Sequence, residues 1–263
     1  MRRTIISASL GVAFAACALA VPNLAAADQA SPITANVTLT SQYIYRGIAQ
    51  TRGKPAIQGG FDYANPSGFY VGTWGSSISW LSDGTGANAP TEIDVYGGYK
   101  GSITKDLGFN VGVLTYNYPG TGLPSGAASP DTVELYGALS YAWLTAKYSV
   151  TTGTSLFGWT QNNLGTGKTS GSGYFQLDGS WDLGSGFGLT AHAGHQTVNG
   201  YGAASYSDWN VGVTKALAGG TLGLLYSDTN ANGCPSGPYC NTIGTDQYDL
   251  GKGALVVSFS KSF

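Results

Sequence analysis

The ionisable side chains of this chain recur at alternate positions. Arg46, Asp62, Glu92, Asp94, Lys100, Glu134, Lys147, Asp178 and His192 each stand in a run where polar and apolar residues take turns. Tyr96 shares the polar face of its run with Glu92, Asp94 and Lys100. In a strand, residues two apart point the same way. These groups are therefore predicted to share one wall of a sheet. Mixed charges on such a wall suit ion pairs across or along it. They also suit a water-filled path whose charge and width select solutes. A third position would be a narrow lumen plugged by its own ion pairs. Arg46 is expected at the outer mouth with Arg52 and Lys54 above it, a local positive ring for incoming anions.

Other chemistry is thinly supported. His192 and His195 are the two histidines of the chain. Three residues apart on one strand, they face opposite sides and serve no common site. His195 is placed on the apolar face. It is the one candidate base for lipid hydrolysis on an outer wall, without a Gly-x-Ser-x-Gly turn to supply a nucleophile. There is no phosphate-binding loop, no dinucleotide fingerprint and no Cys/His cluster, so neither a metal nor a cofactor is expected. Cys234 and Cys240 flank Pro-Ser-Gly-Pro-Tyr and are predicted to form a disulfide in a long loop.

Twelve segments position these groups. They lie near 36–46, 57–63, 69–80, 92–100, 107–118, 133–140, 144–150, 175–181, 187–198, 207–217, 221–229 and 253–263. Val37, Leu39, Tyr43 and Tyr45 alternate with Asn36, Thr38, Thr40, Gln42 and Arg46. Leu255, Val257, Phe259 and the final Phe263 alternate with Ser258, Ser260 and Ser262. Each segment is about the nine to eleven residues of a tilted membrane-spanning strand. Short connections alternate with long ones at 81–90, 119–131, 154–171, 199–206 and 230–252. The connection near Gln50 to Pro55 is the short exception. Tyr63, Phe69, Tyr99, Tyr141, Trp143, Trp181, Phe187 and Phe263 gather beside the short turns, where an aromatic girdle would sit. Trp74 and Tyr70 compete with Phe69 and Val71 for the two faces of their segment.

Composition points the same way. Only 10% of residues are charged, and 41 glycines accompany 17 tyrosines and 6 tryptophans. This suits a sheet with an apolar outer face and a polar inner one. Met1-Arg-Arg-Thr, the apolar run Ile5 to Ala20 and Ala25-Ala-Ala27 read as a signal peptide over residues 1–27. Its removal takes Arg2 and Arg3, leaving 28–263 as one barrel domain with ten basic residues against 14 acidic. That balance excludes a nucleic-acid footprint. No segment is apolar over 18 residues, so a closed antiparallel barrel is the way left to span a bilayer.

Ser41-Gln-Tyr-Ile-Tyr-Arg-Gly-Ile-Ala-Gln-Thr51, Pro55-Ala-Ile-Gln-Gly-Gly-Phe-Asp-Tyr63 and Ser67-Gly-Phe-Tyr-Val-Gly-Thr-Trp-Gly-Ser76 resemble the TorF-type porin family of bacterial outer-membrane proteins. Glu92-Ile-Asp-Val-Tyr-Gly-Gly-Tyr-Lys-Gly101 and Tyr116-Asn-Tyr-Pro-Gly120 fit the same pattern. The likeness is dense over residues 37–120 and looser beyond. Gln42 departs where members often carry an acid, and Lys261 departs near the end of the last strand. The resemblance implies a passive pore for small hydrophilic solutes in the outer membrane of a Gram-negative bacterium. Its partners would be outer-membrane lipid, anchored by Phe263, and the barrel-assembly machinery, which reads the last strand. Two alternatives stand beside it: a closed barrel that displays loops for adhesion or envelope structure, and the lipid hydrolase.

Overall fold

The computed structural model describes residues 31–120 and 122–263. The signal-peptide expectation for residues 1–27 lies outside them.

Among the described residues sixteen strands form in chain order. They are β1 (Ile33–Thr40), β2 (Ile44–Tyr45), β3 (Ile48–Ala49), β4 (Ala56–Ala64), β5 (Phe69–Ser77), β6 (Thr91–Ser102), β7 (Leu107–Asn117), β8 (Thr132–Tyr141), β9 (Leu144–Thr151), β10 (Gly173–Gly184), β11 (Phe187–Thr197), β12 (Tyr206–Leu217), β13 (Gly220–Thr229), β14 (Cys240–Ile243), β15 (Asp246–Asp249) and β16 (Ala254–Ser262). One α-helix, α1, covers Trp80–Thr85. Twelve of the strands close into an antiparallel barrel in which β1 pairs with both β4 and β16. Closure leaves no unpaired edge, which a hydrocarbon surrounding requires.

Alternation explains the wall. Leu39, Ile57, Phe61, Phe69, Val71, Leu135, Leu255 and Phe263 are exposed on the outside. Thr38, Gln58, Glu92, Glu134, Lys147, Gln176 and Asp208 are buried on the inside. An apolar outside with a polar inside is the reverse of a water-soluble fold, and lipid is the solvent that suits it. Around the short turns the expected girdle is present, with Phe69 against Tyr99 at 5.0 Å and Trp143 against Trp181 at 4.9 Å.

Two expected strands end early. The first stops at Thr40 instead of running to Arg46. Residues 44–49 instead form the separate hairpin β2–β3, whose turn at Arg46 and Gly47 has positive φ at both residues. The connection 41–55 is thus not a short loop. It is an inward fold, and Arg46 leaves the strand wall altogether. The strand expected over 69–80 stops at Ser77, and α1 follows on the longer connection to β6.

Candidate functional site

The hairpin β2–β3 crosses the bore at the end that carries the long loops. The Arg46 guanidinium meets both carboxylate oxygens of Glu134 on β8, at 2.9 and 2.8 Å. It also donates to Gln196 on β11 at 2.9 Å and lies 4.1 Å from the ring centre of Tyr174 on β10. Its neighbour Tyr45 hydrogen-bonds the Tyr116 hydroxyl on β7. Gly47 comes so close to β12 that a Cβ there would lie 2.7 Å from Asp208 Cβ and overlap Thr229 of β13. With φ at +77° as well, this position takes glycine for both reasons. One hairpin tip therefore touches strands on the far side of the barrel.

Two apolar clusters fill the space around it. Tyr43, Ala56, Ile78, Leu81, Ala87, Leu114, Tyr116 and Tyr118 pack together, with Trp74 and Trp80 against them. Ile48, Leu156, Val198, Ala204, Tyr206 and Tyr239 form the second group, from the hairpin and the long loops. Phe157 packs against both. Burial raises the Tyr239 phenol above its ordinary range, with Tyr201 adding to the effect. The hydroxyl thus stays a donor, to the Ala204 carbonyl at 2.6 Å. The last long loop carries the Cys234–Cys240 disulfide and the hairpin β14–β15.

A second polar chain runs from the hairpin towards the short turns. Tyr174 donates to Asp208 at 2.9 Å. His192 lies between two carboxylates, 3.0 Å from Asp208 and 2.7 Å from Asp178. Gln176 donates to Asp178 at 2.6 Å. Deeper towards the turns, Tyr96 donates to Asp62 at 2.6 Å, and Tyr70 bonds both Asn110 and Tyr136. Gly72 makes room for the first of these, since a Cβ would stand 2.6 Å from the Asp62 carboxylate. The Lys147 amine sits 4.4 Å from the Tyr136 ring centre and the Lys100 amine 5.5 Å from that of Tyr70.

The strand-borne residues expected on the inner wall thus lie there. Arg46 reaches the interior from the hairpin, with its charge matched by Glu134, so the positive ring at the mouth does not form. Arg52 instead pairs with Asp246 at 2.8 Å on the last loop. Tyr70 and Trp74 turn inward, Trp74 resting edge-on against Tyr43 at 5.5 Å. His195 is exposed on the outer wall, 2.9 Å from Ser207 Oγ, its cross-strand partner. Asp208, Tyr174 and Gln196 belong to the network but were not singled out from the sequence. Tyr43 and Tyr45, expected on the apolar face with Val37 and Leu39, turn inward because the strand ends at Thr40. The alternation of Tyr206, Asp208 and Asn210 against Ser207, Trp209 and Val211 carried the signal for Asp208.

Residues 25–263 match a family model described as "Bacterial protein of unknown function (Gcw_chp)". No curated protein matches the sequence. Among solved structures, the KdgM porin aligns at a TM-score of 0.51 with 8% identity, covering 88% of this chain and 99% of the other. The same porin in complex with disordered oligogalacturonate gives 0.50, with 8% identity and coverage of 88% and 98%. The NanC porin gives 0.50 with 10% identity, covering 88% and 98%. At such identities the likeness is one of fold.

Proposed function

The chain belongs to the Gcw_chp family of bacterial proteins, and we propose that it is an outer-membrane channel for passive diffusion of small hydrophilic solutes. The observation that carries this reading is the closed twelve-stranded barrel with an apolar outside and a charged, hydroxyl-rich inside. Such an inner wall lowers the barrier that hydrocarbon sets against polar solutes. The fold shared with two porins supports it, as does the TorF-type pattern of residues 37–120. No bond is made or broken in such a role. The Gram-negative outer membrane, the cleaved leader at 1–27 and the use of Phe263 as a lipid anchor belong to the same reading.

The channel is constricted. The hairpin and the packed loops stopper the outer half of the bore, so conduction depends on their moving aside. Arg46 and Glu134 form the main polar tie of that stopper. Asp62, Glu92, Asp94, Glu134, Asp178 and Asp208 outnumber Arg46, Lys100, Lys147 and His192 on the inside. This balance favours neutral or cationic solutes over an acidic oligosaccharide such as the oligogalacturonate in the KdgM complex.

Liposomes containing the refolded chain test the reading. Swelling in isotonic small sugars, faster once residues 44–49 are replaced by a short Gly-Ser linker, is the expected result. Liposomes that stay impermeable with and without the hairpin would overturn it.

A further inference from the structure

The acidic residues of the inner wall are not equally matched. Glu134 holds Arg46, and Asp178 and Asp208 hold His192. Asp62 takes the Tyr96 hydroxyl. Glu92 and Asp94 are successive inward residues of β6, 2% and 5% exposed, and neither forms an ion pair among the described residues. Glu92 accepts the Tyr43 hydroxyl at 2.7 Å and is hydrogen-bonded by Tyr118 as well, so it is the better satisfied of the two. The buried Oδ1 of Asp94 has no hydrogen-bond partner. A carboxylate removed from water without a partner is costly, and two adjacent ones repel each other as well.

Position and surroundings say what would relieve that cost. Along β6, Glu92 and Asp94 are buried, while Tyr96, Gly98 and Lys100 are half-buried. Asp94 therefore stands where the water-lined half of the bore meets the stopper. A solute arriving from the turn end meets it at the closed face. Its cross-strand partners on either side are Trp74 and Tyr116, both inward-facing aromatics. Tyr43 leans on Trp74 from the hairpin. Among the described residues no three His, Cys, Asp or Glu side chains converge as metal ligands. A carboxylate pair flanked by aromatic rings instead suits an organic ammonium group, which gains both from the charge and from ring faces.

We propose that Glu92 and Asp94, flanked by Trp74 and Tyr116, form a binding site for solutes that carry an ammonium group. As a statement about transport this rests on the channel reading; as a statement about binding it does not. The test is isothermal titration of the refolded full chain in detergent micelles with tetramethylammonium chloride, and with sodium chloride at equal ionic strength. Saturable binding of tetramethylammonium is expected, at least tenfold tighter than any sodium response. The loss should be tenfold or more in Asp94→Asn and smaller in Glu92→Gln, whose partner Tyr43 can still bond the amide. Both variants are isosteric, and an unchanged melting curve confirms that they fold. No binding heat, an equal response to sodium, or equal affinity in wild type and Asp94→Asn would overturn the site. Binding without any current or swelling would keep the site and reject the channel; current without binding would do the reverse.

Discussion

The two halves of this bore are made by the same strands with the same alternation, yet they are finished in opposite ways. Towards the long loops the inner wall is covered: Glu134, Ser149, Thr151 and Tyr174 are each about 1% exposed. Towards the short turns it meets water, and the Asp178 side chain is 36% exposed. The difference lies in what enters the cylinder. The turns are too short to fold back, whereas the 41–55 connection carries a hairpin inside and the other long loops pack on it. A twelve-stranded barrel is wide enough to need filling and narrow enough for one hairpin to reach across. Strand alternation therefore settles which groups face inward, and the loops decide which of those groups meet solute.

This contrast can be broken first at its strongest tie. Glu134→Ala leaves the Arg46 guanidinium buried without its carboxylate, and removing one partner of a buried pair costs about 3–5 kcal/mol. Asp62→Ala in the water-lined half should cost less than about 1 kcal/mol. Thermal melting in detergent compares the two; equal losses would mean that the halves do not differ. Accessibility sharpens the same point. Single cysteines at Ser140 or Thr145 should react with a charged thiol reagent about 100-fold faster than cysteines at Ser149 or Thr151, a difference of about 2.7 kcal/mol in protection. Equal rates would contradict a filled outer half. Gly47→Ala is the smallest change. It forces a side chain into positive φ beside Asp208, at a cost of about 1–2 kcal/mol, and should raise thiol labelling at Thr151→Cys. An unaltered rate would show that the hairpin tip does not hold the stopper.

How far the sequence spoke depends on distance along the chain. Period-two patterning exposed the barrel strands, the girdle and the inward side of β6 and β8, because those signals are local. The hairpin was hidden because the apolar series Val37, Leu39, Tyr43 and Tyr45 resumes after the break at Thr40-Ser41-Gln42, so Ser41 and Ile44, each on the wrong face, are passed over. No glycine or proline marks where the wall ends, and the inward turn is announced only by Arg46-Gly47. The partner of Arg46 is 88 residues away and that of the same guanidinium on β11 is 150 away. Such pairings follow from barrel register and closure, which no window of sequence contains. The inner role of Trp74 was ambiguous for a related reason: Phe69 and Val71 compete with it locally, and pairing with Asp94 decides the face.

The most direct measurement is single-channel conductance in planar bilayers of the wild-type chain beside one in which residues 44–49 are replaced by a short Gly-Ser linker. Small or infrequent steps in the wild type, and larger, sustained steps in the replacement, are predicted for a polar bore stoppered by its own hairpin. Identical step sizes in both, or no current through either correctly inserted protein, would contradict that account.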